Sequence, residues 1–326
     1  MKGFKLNVVM VGILIFVVSL GSAWAAPYTI KIGTVFSPGH SHVLAYEKFK
    51  EKVEGRSNGR IKVEIYPSSQ LGGDREMMEM ISIGTLEMTN TGLVSLYEPI
   101  FAILESPFLF RDRAHIKKVF QSPQVAEMSE ALTKRNLRIV GFMENGFRNI
   151  TNNKRPINSP ADVKGLKIRV LENMIFVETF KALGAIPTPM PYSELFSALQ
   201  QGVVDGQENP LQNILNAKMF EVQKHLALTG HIYNSLYITV NNKFWTGLPA
   251  DLRKIADDSI REACDWQMDY VANLDNSLLN ELKAKGMQVT SPDRDAFRKA
   301  TAPAYDALYA KFGERARKIV EAFRSM

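Results

Sequence analysis

Ile61-Lys62-Val63-Glu64-Ile65-Tyr66-Pro67 places Ile61, Val63 and Ile65 on one face of an extended chain and Lys62 and Glu64 on the other. A half-buried strand is predicted, ended by a turn over 67–73. Tyr28–Gly33 alternates in the same way, and between the two runs Leu44, Ala45, Phe49 and Val53 recur at helical spacing. Downstream, Asp74 is placed to cap a helix running to Ile83, with Met77, Met78 and Ile81 inward and Gly84 as its stop. Residues 86–91 return as a strand. This alternation predicts a largely parallel sheet with helices on both faces.

A second unit of the same kind follows. Strands are predicted at 137–142, 166–170 and 203–207, and helices at 173–183 and 193–201, each helix stopped by a glycine, Gly184 and Gly202. Residues 233–239 alternate again. From 249 to 285 Leu252, Ala256, Ala263, Tyr270, Leu274, Leu278 and Leu282 share one helical face. As a single helix that pattern would extend roughly 55 Å, longer than one small lobe, and would bridge two. The fold class expected is α/β, with two lobes around a cleft and a long helix spanning both. No Pro/Gly/Ser-rich linker parts the halves, so short crossover strands must join them, as in hinged clefts. Residues 26–146 plus about 234–273 are assigned to the first lobe and 147–233 plus about 274–326 to the second.

The N-terminus carries an address. Lys2 and Lys5 precede an apolar run over 8–20, then Ala23-Trp24-Ala25, the three-part pattern of a cleaved secretory signal peptide. The run falls short of the ~20 residues that a membrane-crossing helix needs. Cleavage after Ala25 is predicted. No cysteine follows for lipid attachment and no twin arginine precedes, so the mature chain is expected in the periplasm, outside the membrane.

Charge and composition narrow the chemistry. A net charge of +6 comes from 40 Lys and Arg interleaved with 34 Asp and Glu, which argues against a nucleic-acid partner. The single cysteine, Cys264, has no internal disulfide partner and reads as a small filler. No phosphate-binding loop, dinucleotide fingerprint, nucleophile elbow or zinc-protease motif is present, so no cofactor and no enzyme activity are expected. His40 and His42 flank Ser41, but the other histidines lack metal-ligand spacing. His40 reads better as a pocket wall or a helix start.

Three stretches are polar where a plain sheet protein would be apolar: Asn145-Gly146-Phe147-Arg148-Asn149-Ile150-Thr151-Asn152, Lys164-Gly165-Leu166-Lys167-Ile168-Arg169-Val170, and Asp205-Gly206-Gln207-Glu208-Asn209-Pro210. Arg148 is open to reading as a surface charge. Arg169 ends a strand, where ligands of open α/β sheets collect. Asn209 can offer both donor and acceptor, or can simply cap the helix that Pro210 starts.

Taken together with Gln70-Leu71-Gly72-Gly73-Asp74-Arg75, Pro187-Thr188-Pro189-Met190 and Ala198-Leu199-Gln200, these stretches resemble, in order and over essentially the whole mature chain, the DctP-type solute-binding proteins of tripartite ATP-independent periplasmic (TRAP) transporters. The resemblance implies a monomer whose two lobes close on an organic acid and deliver it to the membrane permease subunits. It makes Arg169 the carboxylate clamp, with Arg148 and Asn209 completing that side of the pocket. A guanidinium suits this role, since its planar fork matches two carboxylate oxygens. Tyr192 matches a wall position, Asn90 and His40 lie on cleft-facing loops of relatives, and Glu172 lies where the family varies with substrate. Leu171 replaces a common proline and Glu172 a neutral residue of sialic-acid binders. A carboxylate at 172 can accept hydroxyl hydrogen bonds, so a uronate or aldonate is the first choice of ligand; the alternative for Glu172 is a solvated helix start. The rival readings are a secreted enzyme acting on a sugar acid and a ligand-binding protein serving a sensor.

Overall fold

The computed structural model describes residues 27–326, so the predicted leader and its cleavage point lie outside the described residues. β1 (Tyr28–Gly33), α1 (Ser41–Arg56), β2 (Ile61–Tyr66), α2 (Asp74–Ile83) and β3 (Met88–Thr91) follow in the predicted order. Two 3-10 segments, Val94–Leu96 and Pro99–Glu105, lead to α3 (Arg113–Phe120) and α4 (Pro123–Ala131). β4 (Leu137–Phe147) continues past its predicted end and passes into β5 (Asn149–Asn152) with only Arg148 between. The second unit comprises β6 (Lys167–Val170), α5 (Met174–Ala182), β7 (Ile186–Pro189), α6 (Tyr192–Gln200), β8 (Gly206–Asn209), α7 (Leu211–Asn216) and β9 (His225–Ala227). The chain returns through β10 (Tyr233–Asn241), α8 (Asn242–Gly247) and α9 (Ala250–Ala272). It ends with α10 (Asp275–Ala284), β11 (Gln288–Thr290), α11 (Arg294–Thr301) and α12 (Ala304–Ser325).

There are two sheets, a five-stranded one in the order β2-β1-β3-β10-β4 and a six-stranded one in the order β11-β9-β5-β8-β6-β7. Each is parallel except for one strand. β10 runs against β3 and β4, and β5 runs against β8 and β9. These are the strands by which the chain arrives from the other lobe, so they enter their sheets from the opposite end.

In the first lobe Ile30, Ile32, Ile61 and Val63 pack under Tyr46, Phe49 and Val53 of α1 and Ala256 and Ile260 of α9. Full burial of a side chain such as Phe49 stabilises the fold by about 1.5–3 kcal/mol. Cys264 of α9 is buried and fills the gap over β4, where a Cβ on Gly141 would lie 2.7 Å from its sulfur. In the second lobe Ile168 and Val170 meet Ile175, Phe176 and Phe180 of α5 and Val320 and Phe323 of α12. The opposite side is closed by Leu195 and Leu199 of α6, Ile214 of α7 and Leu282 of α10.

Two expectations are corrected. The pattern over 249–285 is not one helix. At the joint between α9 and α10 the amides of Asn273 and Leu274 bond to Tyr270 O and Val271 O, at 3.3 and 3.0 Å, and Asn273 Nδ2 reaches back to Asp269 O at 2.8 Å. Such three-residue bonds tighten the last turn and redirect the chain. α9 therefore lies on the first lobe and α10 on α7 of the second. The strand expected from 203 begins at Gly206, because Gly202 and Val203 are used to close α6. Their amides bond to Leu199 O and Ala198 O, the paired cap of a Schellman motif.

Gly206 itself admits no side chain. A Cβ there would sit 2.1 Å from Thr151 O and 2.8 Å from Asn152 Cβ. Gly206→Ala must part β8 from β5, so its cost is expected at or above the ~1–3 kcal/mol of ordinary overpacking. Urea unfolding checks this; an unshifted midpoint would show that the sheet yields freely.

Candidate functional site

The strand ends of the two sheets face each other across a cleft of about 640 Å3, including its open mouth. Phe36 and Asp74 of the first lobe and Arg169, Tyr192 and Asn209 of the second are among its walls.

Arg169 is a buried cation of this cleft, with 2% of its surface exposed. Its Nε and Nη2 both donate to Met190 O, at 2.9 and 2.6 Å, while Nη1 has no partner. Burial lowers the guanidinium to about 10, so it stays charged at neutral pH. The Met190 carbonyl fixes the plane of the fork and leaves one buried donor for a guest. Tyr192 forms an adjoining wall, its ring 5.9 Å from that of Phe36 and its hydroxyl pushed up to about 12 by burial.

Arg148 borders the same cleft but is already occupied. It pairs with Glu208 through Nε and, at 2.8 Å, through Nη2; Nη1 donates to Asn234 Oδ1 at 3.2 Å. Burial works against the Glu208 carboxylate, but Arg148 and His231 outweigh it and hold the group below the ordinary range. Asn209 is also engaged, since its Oδ1 accepts from Arg148 Nη2 at 3.2 Å and from Asn213 Nδ2 at 3.1 Å, and its Nδ2 donates to Gln207. Arg148 and Asn209 thus line the cleft beside the clamp, as expected of that side of the pocket, with their polar atoms engaged by one another and by Glu208, Asn213 and Asn234.

Glu172 lines the cleft with its carboxylate already paired. Its Oε1 accepts from Arg75 Nη2 at 3.0 Å, joining α2 of the first lobe to the end of β6 in the second. Glu172→Gln should weaken binding by less than about fivefold, the usual reach of a half-exposed pair. A drop beyond tenfold in calorimetry would return Glu172 to the ligand.

His40 caps α1 and is buried between the lobes. Its Nδ1 accepts from His42 N at 3.3 Å, which leaves Nε2 to donate to Asn213 Oδ1 at 3.0 Å, and its ring stacks 4.1 Å from Phe36. Burial lowers it to about 4, so the ring is neutral at neutral pH. The helix-start reading describes it, and it backs Phe36, which lines the cleft. Beside it Ser41 Oγ donates to Gln212 Oε1 at 2.8 Å, a second contact between lobes.

Asn90 lies near the end of β3, on the opposite side of the strand from Thr89. β3 alternates, with Met88 in the core under α1, whereas Thr89 on the other side donates to Gly33 O and lies 3.8 Å from Met77 Sδ of α2. Asn90 shares the side of Met88 by the two-residue period. It is buried with both amide atoms unpartnered.

Sequence reasoning read Asp74 only as a helix cap, yet it lines the cleft. Gly73 holds the cap position of α2 without a side-chain bond, and Asp74 opens the helix from inside. Its carboxyl accepts from the Thr91 hydroxyl and feels the charge of Arg169 across the cleft; burial nevertheless pushes it up to about 6. Asn213 of α7, four residues after the end of β8, also lines the cleft and was not singled out from the sequence. Among the described residues no group of three or more His, Cys, Asp or Glu could hold a metal ion, and no helix is long and apolar enough to cross a membrane.

A two-lobed α/β frame with a buried, half-satisfied arginine at a strand end defines a receptor for small anions. The chain belongs to the bacterial extracellular solute-binding protein family 7, DctP, whose model matches residues 32–312. It is 34% identical over 275 residues to the 2,3-diketo-L-gulonate-binding periplasmic protein YiaO of Escherichia coli, covering 83% of this chain and 84% of that protein. Among solved structures it is similar to a TRAP periplasmic solute-binding protein of Polaromonas bound to D-erythronate, with 37% identity, TM-score 0.87 and coverage of 92% and 99% of the two chains. A TRAP periplasmic solute-binding protein of Roseobacter denitrificans with bound L-galactonate matches at 33% identity and TM-score 0.86, covering 91% and 99%.

Proposed function

We propose that this chain is the periplasmic receptor of a TRAP transporter, exported by its leader and working as a monomer, and that it captures a hydroxylated organic acid and hands it to the membrane permease. The observation that carries this reading is Arg169, buried and charged, with Nη1 unpartnered at the cleft. An unpaired buried donor costs about 1–3 kcal/mol, more when charged, and an entering carboxylate removes that cost. The relatives that hold erythronate, galactonate and diketogulonate support a ligand with hydroxyls as well as a carboxylate.

Lobe closure enters because a ligand shifts a conformational equilibrium only through contacts that differ between its states. Contacts such as Ser41 with Gln212 and Arg75 with Glu172 join lobes that must separate to admit a guest. The moving bodies would be 26–146 plus about 234–273 and 147–233 plus about 274–326. The bound acid is cargo and leaves unchanged.

Thermal-shift screening against aldonates, uronates, dicarboxylates and neutral sugars tests the reading. The right acid at ~100 times its dissociation constant should stabilise the protein by ~2.7 kcal/mol. No shift with any acid, or NMR evidence that the acid is converted, would refute it.

A further inference from the structure

We propose that the outer edge of β4 docks an extended peptide, a segment of a partner protein whose alternate side chains are acidic and basic. A second cavity, about 1510 Å3 including its open mouth, lies between α3 and α9 and shares no lining residue with the ligand cleft. Its floor is 140–144 of β4, the end strand of the first sheet, which among the described residues pairs with β10 alone. The two helices cover opposite faces of that sheet. Phe120 of α3 has its ring 4.6 Å from that of Phe142, whereas Cys264 of α9 lies over Gly141 and packs in the same core as Met143. The strand edge between them is the bottom of a slot open to solvent.

The slot offers backbone partners. At its inner end the side-chain amide of Gln267 accepts from Glu144 N at 2.9 Å and donates to Glu144 O at 2.8 Å, as the peptide group of a neighbouring strand would. Glu144 therefore turns its backbone groups outward, and by the alternation of an antiparallel ladder so does Phe142, whose amide meets the soft sulfur of Cys264. Such an edge templates an added strand. A guest strand lying between two faces points its side chains alternately at each. On the α3 side they meet exposed Lys117; on the α9 side they meet exposed Asp265 and Asp269. The other rim cations are matched, Arg113 by Glu144 and Arg261 by Asp258. Phe120 and Met268, deeper in the walls, suit the stems of long charged side chains. Acid toward α3 and base toward α9 is the complementary pattern. A second copy of this chain fits badly, because a two-fold axis joining two β4 edges sets α3 beside α3 and α9 beside α9, like charge against like.

The test is fluorescence anisotropy on the mature chain with a labelled octapeptide of alternating Glu and Lys. Its controls are the same residues in two blocks and the alternating peptide N-methylated throughout, which has no amide to give the edge. Wild type should bind the alternating peptide about tenfold or more tightly than either control. Asp265→Lys/Asp269→Lys makes both walls basic and should weaken it by about tenfold or more. Adding Lys117→Glu exchanges the signs of the walls and should restore binding, because a one-residue slip turns every side chain to the other face. Saturation with the peptide should also slow hydrogen exchange at the Phe142 amide of wild type, a reading that needs no variant. A wild type that binds none of the peptides, or binds a control equally well, overturns the proposal. So does a folded triple variant as weak as the double, or unchanged exchange at Phe142. Self-association of wild type in sedimentation that the alternating peptide cannot displace would overturn it in favour of a second copy.

Discussion

Arg169→Ala is expected to abolish useful ligand binding while leaving the fold intact. The side chain comes from β6, in the interior of the second sheet, but the strand itself is held by backbone pairing to β7 and β8 and by Ile168 and Val170, which face the core. What the guanidinium adds is one aimed charge. Removing one partner of a desolvated charge pair costs ~2 to 5 kcal/mol or more, a loss of roughly thirtyfold to several thousandfold in affinity. Arg169→Lys should fare nearly as badly. An ammonium can bond to Met190 O or reach the guest, but it lacks the planar fork that does both at once. Near-native affinity by calorimetry in a variant with unchanged circular dichroism would defeat the clamp.

Arg148→Met should behave in the opposite way, with its main effect on stability. The guanidinium and the Glu208 carboxylate are both buried, each 0% exposed as a residue, and removing one strands the other. Breaking such a pair typically costs about 3–5 kcal/mol. Arg148 also donates to Asn209 and Asn234, and Asn234 donates to Glu105 Oε1 at 2.7 Å, so the disturbance reaches across the junction. The acid side has a definite sign. Because Glu208 is held below its ordinary value of 4.5, its contribution is present above that pH and fades as pH falls through the lower folded value. Arg148→Met should therefore lie closest to wild type in strong acid and furthest from it near neutrality. A constant difference in denaturation midpoint from pH 2 to pH 7 would contradict this. The double variant Arg148→Met/Glu208→Leu should recover much of the loss.

The legible and illegible parts of the site divide along physical lines. Arg169 could be chosen from sequence because strand ends are where open α/β sheets bind, and one residue at one strand end needs no knowledge of distant partners. The pairing of Glu172 could not be read, since its partner Arg75 lies 97 positions away on the facing lobe. The Arg148 and Glu208 pairing, 60 positions apart, was hidden for the same reason. The side of β3 that carries Asn90 was not legible either: a strand offers its faces alternately, and nothing in the stretch before Gly92 fixed the parity. Asp74 was seen but given a capping role that Gly73 holds, without the Thr91 contact that turns the carboxylate elsewhere. The fold was more readable because periodicity is local. It misled where the apolar stripe over 249–285 stayed in phase through the tight turn at Asn273.

That turn constrains how the two bodies can swing. The chain passes between the sheets beside Arg148 and again beside Ile232, and these passages are stitched together, the Arg148 amide donating to Ile232 O at 2.8 Å. The third passage is the joint at Asn273 and Leu274. Two fittings define a line, as on a door, so the cheapest displacement is a swing about that line, whereas sliding or twisting would tear one fitting. A cleft hung this way would shut along one arc, bringing Asp74 and Arg169 to the same separation each time.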